Sequence, residues 1–139
     1  NDWHLVHLGS RAIGGAGLVI TEMTDVAADG RITTGCTGMY RTEHALAWRR
    51  IVEFVHRHSR SRIGIQLAHA GRKGSRTEPW TGDLLVPPER GGWKTVAPSA
   101  LAFSEGYDTP VALTREGVGR VVSDFRLLRC NKISRIDSN

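Results

Sequence analysis

The stretch that most limits what this chain can become is Ile63-Gly64-Ile65-Gln66-Leu67-Ala68-His69-Ala70-Gly71-Arg72-Lys73-Gly74. It begins as a strand and breaks into a loop carrying glycine, imidazole and basic groups. Ile63, Ile65 and Leu67 fall on one face by the period of two, and Gly64, Gln66 and Ala68 on the other. The second face holds two small residues and one amide, which suits a crowded barrel interior with a single polar group. That amide needs partners, because an unpaired buried one costs about 1–3 kcal/mol. Neighbouring backbone could supply them, as could a ligand offering both a carbonyl and an N–H.

The segments around this strand alternate. Trp3 to Ile13 places Leu5, Leu8 and Ala12 at helical spacing, with Val6 and Ile13 widening the stripe. The run Gly14-Gly15-Ala16-Gly17 ends that helix with a left-handed cap. Leu18-Val19-Ile20 reads as a parallel strand covered on both faces, with Thr21 to Thr24 at its carboxyl end. Asp25 to Tyr40 reads as loop. A second helix follows, capped by Thr42, with Ala47, Trp48, Ile51, Val52 and Val55 as its apolar stripe. His44, His56 and His58 read as solvated side chains.

Helix, strand, loop, helix, strand is the order of βα units around a parallel sheet. All five prolines and six of the sixteen glycines then fall between Gly71 and Leu113. That long irregular excursion leaves the carboxyl end of the strand, and is expected to be a lid or rim anchored by Trp80 and Trp93. Thr114 caps a third helix, with Val118, Val121, Val122 and Phe125 on one side.

Composition narrows the function classes. The net charge of +5 concentrates at the end: residues from Arg126 onward carry +3 and the other 125 only +2. This is a tail effect, so no patterned nucleic-acid face is expected. No apolar run approaches the ~18 residues of a membrane helix. Cys36 and Cys130 lack metal-site or disulfide spacing, which fits a cytoplasmic protein. Asn1 starts the chain without a methionine or a leader pattern, so the sequence is expected to be internal to a longer one.

Three blocks stand in the order and spacing of a known family: Val19-Ile20-Thr21-Glu22-Met23, Gly30-Arg31-Ile32 and Ile65-Gln66-Leu67-Ala68-His69-Ala70-Gly71-Arg72-Lys73. Val96-Ala97-Pro98-Ser99-Ala100 and Leu113-Thr114-Arg115-Glu116 continue the match. The sequence resembles the Old Yellow Enzyme family of FMN-dependent NAD(P)H:flavin oxidoreductases and ene-reductases, from about Asp2 to Phe125. Ala47 to Val52 and the Trp80 and Trp93 region look most like the reductase half of bifunctional aryl-CoA monooxygenase–reductases.

The resemblance implies an α/β fold, a truncated (β/α)8 TIM barrel represented by its early βα units. Residues 1–125 would form the partial barrel, 71–113 its long loop, and 126–139 a divergent basic tail. An eight-stranded barrel takes roughly 200–250 residues or more. FMN would be the cofactor, with NADH or NADPH as reductant and an enone or aryl-CoA type small molecule as substrate. Gln66 matches the family glutamine that bonds the flavin's pyrimidine edge, and Met23 and Thr24 lie where main-chain groups approach the ring. The resemblance makes His69 structural and puts Arg72 and Lys73 at the rim or a subunit contact. The family's His-x-x-His-Gly-Tyr-Leu-like substrate string does not occur in this sequence. The chain alone is therefore expected to be inactive and to form homo-oligomers. Two other readings compete: a non-catalytic, self-associating interaction module, and anion or nucleic-acid binding through Arg72, Lys73, Arg76 and the tail.

Overall fold

A computed structural model describes residues 1–127. The first helix, α1, spans Asp2–Ile13, and the Asn1 side chain accepts the His4 N–H at its start. Its end closes in a Schellman pattern, with Ala16 N–H donating to Arg11 O and Gly15 N–H to Ala12 O. Gly15 takes the left-handed position, at φ +97°. Strand β1 is Leu18–Asp25, β2 is Thr37–Gly38, helix α2 is Thr42–His58 and β3 is Arg62–Ala68. The sheet order is β2-β1-β3 and both pairings are parallel. β1, α2 and β3 are thus one βαβ crossover, as the alternation predicts.

The core lies between the sheet and the two helices. Leu8 and Ala12 of α1 and Trp48, Ile51 and Val55 of α2 pack with Val19, Val26 and Met39. Ile63, Ile65 and Leu67 close it from β3. The strand face expected to be apolar is therefore the one turned to the helices.

Several expectations need correction. Leu18–Ile20 is covered on one face only: Val19 is 7 % exposed, but Leu18 and Ile20 are 57 % and 60 % exposed. Helices cover one side of the sheet, and on the other the described residues leave Leu18 and Ile20 uncovered. Val6 and Ile13 are exposed too, so the α1 stripe is narrower than its apolar positions suggest. Thr42 is the first helical residue of α2, not its cap; Arg41 takes that position in extended backbone with no side-chain hydrogen bond. Val118 and Val122 of α3 (Arg115–Leu127) are exposed, while Phe125 reaches the core. Thr114 does cap α3, its hydroxyl accepting the Gly117 N–H at 3.2 Å.

The excursion after β3 is more ordered than its composition implies. It contains 3-10 turns at Gly71–Lys73, Pro79–Thr81 and Pro88–Arg90, and a short parallel pair, β4 (Val96–Ala97) with β5 (Val111–Ala112). Ser75, Arg76, Val86, Thr95 and Ala97 are buried. Trp93 anchors it, donating Nε1–H to Asp29 O at 3.1 Å. Trp80 anchors nothing, being 84 % exposed. The Asp25–Tyr40 loop likewise holds a turn at Ala28–Gly30 and the β2 strand. Of the basic tail, the residues after Leu127 lie outside the described residues.

Order in the excursion can be tested at Gly92. A Cβ there would sit 1.8 Å from Val86 O and 2.6 Å from Ser75 Oγ. Gly92→Ala should therefore destabilise the protein by about 1–3 kcal/mol, read as a lowered urea midpoint. An unchanged midpoint would mean the loop does not pack as described.

Candidate functional site

The site expected around Gln66 is shaped by one irregularity. β1 and β3 pair in simple register from Leu18↔Arg62 to Ile20↔Gly64, then resume at Met23↔Gln66. Two residues of β1, Thr21 and Glu22, stand opposite Ile65 alone. This is a β-bulge, and bulges re-aim side chains. Without it Glu22 would face Gln66. With it, Met23 and then Asp25 share the face of Gln66 and Ala68.

Threonine hydroxyls hold the bulge. The N–H of Gln66 donates to Thr21 Oγ1 at 3.2 Å, filling the place a ladder carbonyl would take. Thr21 Oγ1 donates to Glu22 O at 2.8 Å and lies 3.3 Å from Thr24 Oγ1. Thr24 Oγ1 also reaches Glu22 O and Thr37 Oγ1, and Thr37 Oγ1 donates to Met23 O. Glu22 is turned back to α1, where its carboxylate meets His4 Nε2 at 2.6 Å.

The structure therefore brings Gln66 and Met23 together and separates Thr24 from them. Gln66 is exposed, and its amide makes no hydrogen bond among the described residues. Met23 is half-buried beside it. Thr24 is fully buried on the opposite face, its hydroxyl occupied by the bulge. Any contact it makes with a ligand would have to come from its main chain.

The loop behind Gln66 is tied down. The His69 side chain is buried, and its Nδ1 accepts the Gly71 N–H at 3.0 Å. Nε2 then carries the proton and faces Asp29 Oδ1 at 3.9 Å. Burial lowers the His69 pKa, with Asp29 opposing and Arg120 assisting, so the ring is neutral at pH 7. Asp29 is itself held by Arg120 of α3 at 2.8 Å. The ring lies so close to Gly30 that a Cβ there would come within 3.0 Å of it. The glycine of the Gly30-Arg31-Ile32 block thus has a packing reason, and His69 has a structural role.

The cations expected at the rim are engaged internally. Arg72 donates to Leu101 O and Ser99 Oγ, at 2.9 and 3.1 Å. Lys73 sits 4.1 Å above the Phe103 ring. Arg76 is 6 % exposed, bonded to the Asp83 side chain and carbonyl and to Gly106 O, with its guanidinium over Tyr107. Two of the three thus present no free guanidinium edge to a phosphate.

Two residues of consequence carry no expectation from the sequence. Thr21 is one; the polar pair Thr21-Glu22 interrupting an apolar run was its signal. Asp25 is the other. It is fully buried, and neither carboxyl oxygen has a partner among the described residues. Burial pushes its pKa up to about 7, with Arg31 partly opposing.

Known proteins place this geometry. Residues 1–127 match the model of the NADH:flavin oxidoreductase / NADH oxidase family. The chain belongs to that family. An NADPH dehydrogenase of Listeria monocytogenes is 43% identical over 125 residues, covering 90% of this chain and 32% of the relative. An NADH:flavin oxidoreductase of Gibberella zeae is 41% identical over 128 residues, 89% of this chain and 31% of the relative. Morphinone reductase superposes with a TM-score of 0.77 at 28% identity, over 99% of this chain and 37% of that one. Old Yellow Enzyme from Pichia sp. AKU4542 gives 0.79 at 29%, over 97% and 34%. The chain spans about a third of the length of these relatives. The neighbours are TIM barrels, and the βαβ unit is a section of such a barrel. No described helix is long and apolar enough to cross a membrane.

Two outcomes follow. Thr21→Val keeps the shape and deletes the acceptor for the Gln66 N–H, so it should cost about 1–3 kcal/mol in a urea titration. Asp25 sets a pH dependence. The folded state holds its proton up to about pH 7, whereas an ordinary aspartate has a pKa of 3.8. Stability is full below pH 4, falls as pH rises and is lowest above 7, by up to roughly 4 kcal/mol. Asp25→Asn should flatten that slope and be the more stable form at pH 8.

Proposed function

We propose that this chain forms the part of an FMN-dependent NAD(P)H oxidoreductase of the ene-reductase type that holds one edge of the flavin. The observation that carries the reading is the bulge that sets Met23 opposite Gln66 on the face away from the helices, with the Gln66 amide unpartnered among the described residues. A primary amide both donates and accepts, which matches the alternating carbonyls and N–H of a flavin's pyrimidine edge. When bound, the flavin supplies hydride chemistry between a nicotinamide and an electron-poor substrate. Gln66 orients the ring by its paired hydrogen bonds, Met23 packs beside it, and Thr24 acts from behind by holding the bulge. The β2-β1-β3 sheet is three strands wide and cannot close a barrel alone. Strands outside this sequence would complete the pocket. The substrate is then a small molecule of the enone or aryl-CoA type, and the protein is cytoplasmic.

The complete protein carrying this sequence should bind FMN and be bleached by NADH or NADPH. Gln66→Leu should weaken FMN binding by about 1–3 kcal/mol, measured by fluorescence titration, with the fold retained. Unchanged affinity would leave Gln66 as strand filler. The 139-residue chain alone should show no FMN-dependent NADH oxidation with cyclohexenone above a heat-killed control.

A second reading has its own observation. Leu18 and Ile20 are exposed on the uncovered face, and the outer edge of β3 pairs with no strand among the described residues. Such edges template association. Light scattering of the isolated chain should report oligomers, and a monodisperse monomer would remove the interaction-module reading.

A further inference from the structure

His4 sits where α1, α2 and the bulge of β1 meet, and both of its ring nitrogens face acceptors. Nδ1 lies 2.8 Å from Asn1 Oδ1, and Nε2 lies 2.6 Å from Glu22 Oε1. The Asn1 atom acts as an oxygen, because it also accepts the His4 main-chain N–H at 3.3 Å. A neutral imidazole has one N–H and cannot serve two acceptors. The geometry is that of an imidazolium donating at both ends. The side chain is 14 % exposed, with the Trp48 ring edge-on at 6.1 Å. A cation in the first turn of a helix opposes the helix dipole, so this charge depends on the Glu22 carboxylate. Around it, Asp2 of α1 holds Arg50 of α2 at 2.5 Å, and His7 stacks on the Trp3 ring. Cys36 and His44 line the cavity that His4 also borders, and Arg49 follows Trp48 on α2.

Glu22 is one of the two β1 residues that the bulge sets opposite Ile65. Its main-chain oxygen accepts both threonine hydroxyls, Thr21 at 2.8 Å and Thr24 at 3.1 Å, and Thr21 Oγ1 accepts the Gln66 N–H. His4 thus grips the side chain of the residue whose carbonyl anchors that network. We infer that His4 is a positioning residue: its imidazolium fixes Glu22 against α1, and through Glu22 and Thr21 it holds the register that presents Gln66. When the Nε2 proton passes to solvent, a lone pair faces the carboxylate. The contact turns repulsive, and the bulge loses its tie to the helix. No bond other than that N–H is broken. The face around Gln66 is therefore held most firmly where His4 is charged. The bearing of this on a ligand rests on the flavin reading, but the register itself does not.

Hydrogen exchange followed by mass spectrometry on the 139-residue chain reads both ends of this connection and tolerates self-association. Exchange at the imidazole C2 position, resolved between His4 and His7 by fragmentation, reports when His4 loses its proton. Amide exchange in the peptide around Gln66, corrected for intrinsic rates, reports the bulge. Asp25 titrates on the same strand, so the quantity read is the ratio of amide exchange in His4→Gln to that in the unmodified chain. The pH range is about 5 to 8, where histidines titrate. At its acid end the ratio should be about threefold, a charge-assisted hydrogen bond discounted for the exposure of Glu22. It should fall to one as His4 loses its proton. Glu22→Gln should exchange as His4→Gln does, and His7→Gln as the unmodified chain does. A ratio of one at every pH overturns the inference. So does a ratio above one that stays constant with pH, the mark of packing alone. Should circular dichroism show His4→Gln unfolded, Glu22→Gln replaces it in the ratio under the same two criteria. FMN is absent from every arm, so the result is separate from whether the candidate site takes a flavin.

Discussion

The hydrogen bond from the Gln66 N–H to the Thr21 hydroxyl is the contact on which the site depends. It replaces a ladder bond that the bulge removes, and it decides which β1 residues face Gln66. Side chains alternate with period two, so one inserted residue reverses every face beyond it. Met23 and Asp25 arrive beside Gln66 and Ala68 for that reason, and Glu22 is sent to His4 on α1. A hydroxyl suits this role because it accepts the strand's N–H while donating to Glu22 O. Valine, its isostere, would do neither.

Much of the frame was legible in the sequence, because periodicity reports which residues are apolar. The stripes of α1 and α2 and the apolar face of β3 were found that way. Periodicity does not report whether a covering layer exists. Leu18, Ile20, Val6 and Ile13 are apolar and exposed because the described chain supplies only one layer against the sheet. Trp80 and Trp93 look equivalent in a sequence, yet only Trp93 finds a carbonyl within reach. The two-residue strand β2 falls below any periodic signal, and it pairs directly with Asp25, so the burial of that carboxyl was invisible as well.

The loop illustrates a different limit. Its proline and glycine content marks irregular backbone, which the structure does have, but says nothing about tethering. Tethering comes from Arg72, Arg76 and Trp93, each spent on carbonyls or side chains far along the chain. Read as a string, Arg72, Lys73 and Arg76 invite an anion. In space the two arginines are structural rivets: Arg76 is paired with Asp83 and stacked on Tyr107, and Arg72 is spent on Leu101 O and the Ser99 hydroxyl. The Gln66 string remained the best pointer to the family, since its glycine, histidine and arginine each answer to a separate packing demand.

The crossover also carries a kinetic consequence. Thr21 and Gln66 are separated by the whole of α2, so their hydrogen bond joins residues 45 positions apart. Closing such a span costs chain entropy before any contact rewards it. Helix α2 can form early from local contacts, but the bulge can set only once β3 has docked beside β1. The register that sets Met23 beside Gln66 would then be among the last features to form in this unit, and the first to be lost when the strands part.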